Sequence, residues 1–327
     1  MRIAIYGAGA IGAYLGAHLA EAGEDVTLIA RGPHLEAMRA NGLLLIEGET
    51  ERSLRLPSTA NPHDAGPQDY VVLAMKAHQV APALEGIRAL LGPDTAVVTA
   101  QNGIPWWYFY GMPGPHRNRR LESVDPGGRI WDAIGPERAL GCVVYPACEI
   151  AEPGVVRHIE GDRFTLGEPD GSRSTRVESL AKAMIRGGLK APVRARIRGE
   201  LWLKLWGNVA FNPISALTRA TLEEICRDRA TRKYVRDVML EAQAVARALG
   251  EEMAVDVEQR IQGAQNVGAH RTSMLQDLEH GREMEIEAIV GAVAELARIT
   301  GVETPALDGL YAIVKLAARL AAGTTLP

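Results

Sequence analysis

Residues 2–31, RIAIYGAGAIGAYLGAHLAEAGEDVTLIAR, decide the fold of the first half of this chain. An apolar run over 2–6 has the character of a β-strand and leads directly into the glycine-rich segment 7–12, GAGAIG. The pattern then predicts a helix over 14–23 and a second strand over 25–31. A GxGxxG segment between a strand and a helix is typical of a dinucleotide-binding turn.

Each glycine of this turn has a separate physical role. Gly7 permits the tight turn, Gly9 lets the backbone approach a pyrophosphate, and Gly12 allows the helix to pack closely on the strand. The free N–H groups and the positive dipole end of the helix would then bind the phosphates. The predicted cofactor-binding residues are those of the turn itself: Gly7, Ala8, Gly9, Ala10, Ile11 and Gly12.

The residue after the second strand distinguishes the two nicotinamide dinucleotides. An NAD site usually has Asp or Glu there, to bind the ribose 2′-hydroxyl. This chain instead has Arg31 followed by Gly32, and a guanidinium can pair with a 2′-phosphate that a carboxylate would repel. The sequence therefore predicts NADP(H) over NAD(H). The alternative is that Arg31 is a solvated surface arginine.

The rest of the first half continues the pattern of a parallel sheet. Further strands are predicted within 69–80, 95–104, 139–147 and 162–168. Lys76 and Asn102 follow the first two of these strands, and ligands of doubly wound sheets bind outside the carboxyl ends of strands. Either residue could instead belong to an ordinary loop.

A long segment, 105–136, follows Asn102 and is rich in Gly, Pro, Arg and aromatic residues. Loops of this length are usually functional or disordered, and the five consecutive aromatic residues at 106–110 indicate order. The segment is interpreted as a local hydrophobic cluster or a subunit contact, or else as a lid over the cofactor or substrate.

The second half has a helical pattern. Helices are predicted through 199–217, 221–249, 255–278, 282–300 and 305–322, with a capping box at Thr221 and Glu224. The predicted fold is therefore an α/β N-terminal Rossmann-type domain with a doubly wound, mostly parallel sheet, followed by an all-α C-terminal domain. The first domain, residues 1–195, would bind NADP, and the second, residues 196–327, would carry the substrate and catalytic residues.

The first of these helices contains three polar residues spaced four apart, Lys204, Asn208 and Asn212, among apolar neighbours. Residues four apart drift by only about 40° around a helix, so the three side chains form one stripe. A buried ammonium is costly unless it is paired. The stripe is therefore expected to line a polar cleft.

The segment 282–293 contains three glutamates, Glu283, Glu285 and Glu287. In a helix, Glu285 would lie roughly 200° from each of the other two and could face the core. Burial of this carboxylate becomes plausible if it pairs with Lys204. Thr272, Ser273 and Gln276 lie just before, near a predicted helix end.

The composition limits the other partners. The 327 residues include 36 basic and 40 acidic ones, a net charge of −4, which gives no reason to expect nucleic acid or an anionic membrane. Three cysteines without a CxxC pair fit a reducing compartment. Because the sequence shows neither a signal peptide nor an apolar run of about 18 residues, a cytoplasmic location is predicted.

Two further expectations concern metals and subunits. The eight histidines form no HxH or HExxH sequence, so no metal site is predicted. The apolar C-terminal segment YAIVKLAARLAAG, residues 311–323, could pack internally or against a second subunit. If it associates, a homodimer would be the commonest arrangement.

Taken together, these motifs resemble those of the ketopantoate reductase (2-dehydropantoate 2-reductase) family. The matching segments occur in family order and cover most of the chain: GAGAIG, Arg31, MKAHQV, QNG, GELWLKLWGNVAFNPISAL, TSMLQD and EMEIEAIVG. The resemblance implies NADPH-dependent reduction of the small 2-keto acid ketopantoate to pantoate, a step of pantothenate biosynthesis. It also implies a Rossmann domain followed by a helical domain.

The resemblance implies a role for each matching residue of the second half. Lys204 would be the catalytic lysine that polarises and protonates the keto oxygen. Glu285 would hold this lysine or the substrate hydroxyl. Asn208 and Asn212 would bind the hydroxyl end of the substrate, and Ser273 would contact its carboxylate.

In the first half, the resemblance implies that Asn102 lies between nicotinamide and substrate. Lys76 would lie near the cofactor ribose and the active site, and Arg31 would bind the 2′-phosphate. The chain departs from the family at 105–136, where a much longer segment than usual follows QNG. That segment could reshape the substrate pocket.

Two other functions remain open at this point. One is a dehydrogenase of the same fold that acts on another 2-keto acid or a 3-hydroxy acid, and such enzymes often also have Lys and Asn four residues apart. The segments around Ser273 and Glu285 favour a ketopantoate reductase instead. A non-catalytic NADP-binding regulator would bind cofactor without turnover, and an intact pair of Lys204 and Glu285 counts against it.

Overall fold

The computed structural model describes residues 1–323, which divide into two units. The first unit consists of Met1–Gln101, Pro105–Arg120 and Gly127–Ile197, and the second of Asn102–Ile104, Leu121–Pro126 and the chain from Arg198 onward. The predicted second domain, 196–327, ends in residues 324–327, which lie outside the described residues. The functional division at residues 195 and 196 stays a prediction.

The first unit is built on a seven-stranded sheet in the order β11-β8-β7-β6-β1-β2-β5. Its pairs are parallel except for β11, which runs antiparallel to β8. The strands of the whole unit are β1 Arg2–Tyr6, β2 Asp25–Ile29, β3 Leu43–Glu47, β4 Thr50–Leu54, β5 Ser58–Thr59, β6 Gln68–Leu73, β7 Leu91–Thr99, β8 Ala139–Val144, β9 Ala147–Glu152, β10 Val155–Glu160 and β11 Phe164–Gly167. The predicted mostly parallel sheet is confirmed.

A second sheet of four strands, in the order β4-β3-β10-β9, was not predicted. Its central pair is parallel, with Val155 opposite Leu44 and Val156 opposite Leu45. Residues paired in this way lie far apart in the sequence, so no local turn signal marks them. Four of the six residues of β9 are exposed and two are glutamates, which hid its strand character from the apolar pattern.

The helices of the first unit are α1 Ala10–Glu21, α2 Gly32–Asn41, α3 Leu84–Ala89, α4 Arg129–Ile134 and α5 Thr175–Arg186. Helix α1 contacts strands of both sheets, and every residue from Gly12 to Leu19 is buried. A helix that is apolar all round is expected to be covered on all sides. Gly16 allows this packing, because a Cβ there would lie 2.6 Å from Leu28 Cδ2.

The aromatic segment after Asn102 is ordered and packs within the first unit. Trp106 to Phe109 are buried, with Trp107, Tyr108 and Phe109 fully so. The Trp107 indole N–H donates to Thr99 Oγ1 (2.9 Å), and Trp106 meets Trp131 of α4 edge to face. The run therefore forms a local hydrophobic cluster.

The second unit is helical. Its helices are α6 Ile197–Thr218, α7 Leu222–Arg227, α8 Arg229–Ala248, α9 Val257–Asn266, α10 Ser273–Glu279, α11 Ala292–Thr300 and α12 Pro305–Ala321, and a π turn, Glu287–Gly291, precedes α11. Helix α6 is largely buried, with Trp202 and Trp206 fully so, and the Trp206 indole N–H donates to Met239 O (2.6 Å). Among the described residues, no helix is both long and apolar enough to cross a membrane.

Three predicted helices differ from the observed ones. The segment 221–249 is two helices, because Asp228 ends the first and its carboxylate caps the second at Ala230 and Thr231. The segment 255–278 also forms two helices, separated at 267–272. Of 282–300, only the part from Ile286 onward is helical. The capping box at Thr221 and Glu224 is confirmed.

Candidate active site

The glycine-rich turn leaves open space beside only one of its three glycines. Gly7 has φ +93°, and a Cβ there would lie 2.7 Å from Met75 N. A Cβ on Gly12 would lie 2.4 Å from Gly7 O. Apart from Gly9 itself and its neighbours along the chain, no atom of the described residues lies within 4 Å of the position a Cβ would take on Gly9. The packing of the turn itself therefore requires glycine at positions 7 and 12. Gly9 instead leaves room at the start of α1 that fits a pyrophosphate.

Two basic residues lie after strands on either side of β1. Arg31 is exposed and lies two residues after the end of β2, at the N-cap of α2. Burial raises the pKa of Tyr6 at the end of β1, and the positive charge of Arg31 opposes that shift. Lys76 follows β6 and is half-buried, and its backbone N–H donates to Gln79 Oε1 (3.3 Å). Since β6, β1 and β2 are adjacent and parallel, both residues lie at the carboxyl edge of the sheet.

Asn102 links the two ionisable residues singled out in the sequence. The Lys204 ammonium donates to Asn102 Oδ1 (2.7 Å), and Asn102 Nδ2 donates to Glu285 Oε2 (3.2 Å). All three side chains are half-buried. Because one end of the amide accepts and the other donates, the two bonds fix which way Asn102 faces.

The backbone after Asn102 is held against the π turn. The Ile104 N–H donates to Ala288 O (2.9 Å), and Gly103 has φ +86°. A Cβ on Gly103 would lie 2.2 Å from Ala288 O. Only glycine satisfies both the positive φ and this close approach, so Gly103 is what brings Asn102 to Glu285.

The helical-face argument for Glu285 is wrong. Glu285 precedes the helical residues, and burial alternates around it, with Met284 and Ile286 buried and Glu283 exposed. The half-buried position of Glu285 therefore comes from the irregular segment before the π turn. π turns are rare and occur frequently at functional sites.

The remaining candidate residues lie outside this network. Asn208 and Asn212 follow Lys204 on α6, with Asn208 half-buried and Asn212 6% exposed. Ser273 is exposed and begins α10, which Thr272 caps. Within residues 1–323, Lys204, Asn102 and Glu285 are joined by hydrogen bonds in which none of the other candidates takes part. Those candidates are Asn208, Asn212 and Ser273.

Sequence reasoning missed Gly103 and the Ala288 carbonyl as parts of the site. A glycine directly after a polar residue at a strand end was a usable signal, because glycine favours a positive φ. Nothing in the local sequence around Ala288 indicates that its carbonyl accepts a bond from Ile104.

Two family models match almost all of the chain. Residues 3–171 match the model "Ketopantoate reductase PanE/ApbA", and residues 196–318 match "Ketopantoate reductase PanE/ApbA C terminal". The chain belongs to the ketopantoate reductase family. This is a family of NAD(P)-dependent oxidoreductases.

Individual proteins of this family are similar over nearly the whole length. The 2-dehydropantoate 2-reductase of Mesorhizobium japonicum is 56% identical over 96% of this chain and 97% of that protein. A homologue from Ralstonia solanacearum MolK2 has a solved structure with a TM-score of 0.92 and 41% identity, covering 99% of both chains. The structure of 2-dehydropantoate 2-reductase from Geobacter metallireducens is 30% identical, with a TM-score of 0.84, and covers 97% of this chain and 100% of that one.

The two glycines Gly9 and Gly12 should respond differently to alanine. Gly9→Ala is expected to leave the melting temperature nearly unchanged, since its φ of −79° suits alanine and the space around it is open. The same change should weaken dinucleotide binding at least about 10-fold, because the methyl group would occupy the phosphate position. Calorimetry and a cofactor titration measure the two effects.

Gly12→Ala is the matched control. Its Cβ would meet Gly7 O, so a lower melting temperature is expected. Unchanged cofactor affinity in Gly9→Ala would show that the pyrophosphate does not bind beside Gly9.

Proposed function

We propose that this chain is a cytoplasmic 2-dehydropantoate 2-reductase, which reduces ketopantoate to pantoate with NADPH for pantothenate biosynthesis. The observation that carries the proposal is the hydrogen-bonded chain from Lys204 through Asn102 to Glu285, in a member of this family. The similarity to the M. japonicum enzyme over almost the full length supports the substrate.

The reduced dinucleotide, when bound, supplies the hydride that adds to the carbonyl carbon of the 2-keto acid. Its pyrophosphate would be held by the turn Gly7–Gly12 and its 2′-phosphate by Arg31, with Lys76 beside the ribose. The open space at Gly9 and the guanidinium at the end of β2 fit this group.

Lys204 would act as the general acid. Its ammonium stabilises the negative charge that develops on the keto oxygen and then donates a proton to that oxygen. An ammonium has three N–H donors, and Asn102 accepts one of them, which orients the group. Glu285 in turn holds the Asn102 amide, so the lysine approaches the substrate in a fixed direction.

The substrate itself would be bound by neighbouring polar side chains. Asn208 and Asn212 continue the stripe from Lys204 along α6 and would bind the hydroxyl end of ketopantoate. Ser273, exposed at the start of α10, would contact the carboxylate. Asn102 would also contact the substrate.

The experiment that tests the substrate follows the loss of NADPH absorbance with ketopantoate and with a panel of other 2-keto acids. A clear preference for ketopantoate is expected. Turnover of another acid alone would keep the mechanism and change the substrate. NADPH binding without turnover of any acid would instead favour the non-catalytic regulator.

Replacing Lys204 tests its role as the acid. Lys204→Ala is expected to lower kcat by about 10²–10⁴-fold, the usual contribution of a general acid, with NADPH affinity nearly intact. Lys233→Ala is the control, because Lys233 is an exposed lysine of the same unit that pairs with Asp237. Near-wild-type turnover by Lys204→Ala would remove the assignment.

Arg31→Ala tests the choice of cofactor. The loss of a charge-assisted contact to a 2′-phosphate should weaken NADPH by about 10- to 100-fold and leave NADH affinity nearly unchanged. Arg39→Ala serves as the control, because Arg39 lies on α2, the helix that Arg31 precedes, and loses only its bond to Ser58 O. Equal weakening of both dinucleotides would contradict the preference for NADPH.

A further inference from the structure

Three side chains beside the candidate active site form a closed cluster that the steps above do not use. Glu287 begins the π turn, and Tyr311 and Lys315 lie four residues apart on α12. The Tyr311 hydroxyl donates to Glu287 Oε2 (2.5 Å), and the Lys315 ammonium lies 2.8 Å from Glu287 Oε1. Lys315 also donates to Tyr311 Oη (3.0 Å). Both oxygens of the Glu287 carboxylate are thus held by α12.

The protonation states support this arrangement. The hydrogen bond to Glu287 raises the pKa of Lys315, so the ammonium stays charged. Burial, together with the Glu287 carboxylate, raises the pKa of Tyr311, so its hydroxyl remains a donor. Lys315 and Tyr311 therefore keep the protonation states in which their bonds to Glu287 are favourable.

Glu287 of this cluster lies within two residues in sequence of the groups that orient Asn102. Glu285, two residues before Glu287, accepts from the Asn102 amide, and the Ala288 carbonyl, one residue after it, accepts from the Ile104 N–H. π turns are rare and occur mostly as single turns inside α-helices. Because the Glu287 side chain is bonded to α12, it holds the first residue of the π turn in place. This residue lies between Glu285 and Ala288 in the sequence.

Gly291, at the end of the π turn, leaves the room that the cluster occupies. A Cβ there would lie 2.4 Å from Glu287 Oε2 and 3.0 Å from Tyr311 Oη. The backbone of Gly291 is helical, with φ −59° and ψ −41°. Its conformation would accept alanine, and alanine stabilises helices relative to glycine. The backbone conformation at residue 291 therefore does not require glycine. The space that a side chain would fill is instead occupied by the Glu287 and Tyr311 side chains.

We propose that Glu287, Tyr311 and Lys315 are positioning residues for the reaction. They fix the π turn so that Glu285 and the Ala288 carbonyl hold Asn102 against Lys204. This inference rests on the proposed function, since it assigns the cluster a role in the same site. It adds three residues that never need to touch the substrate or the cofactor.

Tyr311→Phe tests the proposal by removing only the hydroxyl. A small displacement of a catalytic group can cost up to about 100-fold in rate, so kcat is expected to fall about 10- to 100-fold. NADPH affinity should stay unchanged. Amide exchange at Ile104, measured by NMR or mass spectrometry, should become faster, because its bond to Ala288 depends on the π turn.

Tyr234→Phe is the matched control. Tyr234 is also a half-buried tyrosine of the second unit, and its hydroxyl donates to Ala306 O (2.8 Å) at the other end of α12. It loses one comparable hydrogen bond without touching the cluster. We expect wild-type kcat and wild-type exchange at Ile104. Equal kcat and equal Ile104 exchange in the two variants would overturn the proposal.

Gly291→Ala separates positioning from stability. The added methyl group should push Glu287 away from Tyr311, lowering kcat and speeding Ile104 exchange, while the melting temperature stays the same or rises. Unchanged kcat and exchange in Gly291→Ala would count against the proposal, even if Tyr311→Phe proved too unstable to purify.

The amide exchange rate of Ile104 can be measured without turnover, so it tests this inference independently of the proposed function. If the wild-type protein does not turn over ketopantoate, the proposed function fails on that result alone. Faster amide exchange at Ile104 in Tyr311→Phe and Gly291→Ala, but not in Tyr234→Phe, would then still show that the cluster holds the segment of Asn102 in place. Exchange that did not change would remove that role.

Discussion

An ammonium group on an apolar helix needs hydrogen-bond partners, and the placement of Asn102 in the second unit meets that need for Lys204. Lys204 lies on α6 between two fully buried tryptophans, Trp202 and Trp206. Desolvation of a charge is costly unless polar partners replace the water. The Asn102 amide is one such partner, and Glu285 fixes its orientation. An amide can do this because its two ends are chemically different.

The placement of Asn102 in turn depends on a backbone that only glycine can adopt. Gly103 turns the chain at a positive φ and lets it approach the Ala288 carbonyl. The acceptor on the other side is irregular too, since the carbonyl belongs to a π turn. Two unusual backbone conformations therefore meet at one hydrogen bond. Strained or rare backbone is commonly retained where it places functional groups.

The features that the sequence predicted correctly are those set by neighbouring residues. The strand, turn and helix around GAGAIG follow from apolar periodicity and from the conformations open to glycine, and the mostly parallel sheet follows from their alternation. The spacing of Lys204 and Asn208 on one helix is equally local. The resemblance to a family added the roles of Glu285 and Asn102, which remain proposals.

The features that were missed depend on partners distant in the chain. The second sheet pairs β3 with β10, and no periodicity within either strand indicates the other. The break at Asp228 reflects a cap that competes with a continuous helix. Glu285 was placed on a helical face because the apolar pattern continues through it. In the structure Glu285 instead precedes the helical residues, and the nearby Ala288 carbonyl accepts a hydrogen bond from the distant Ile104 N–H.

The division of the chain into units has a consequence for how such a protein can be taken apart. The chain passes from one unit to the other after residues 101, 104, 120, 126 and 197. A gene fragment that starts at Arg198 would encode Lys204 and Glu285 but lack Asn102 and the segment Leu121–Pro126. The second unit therefore cannot be moved between proteins as a single cassette. If only the C-terminal part were exchanged, the N-terminal half of the other protein would have to supply the asparagine that bonds Lys204 and Glu285.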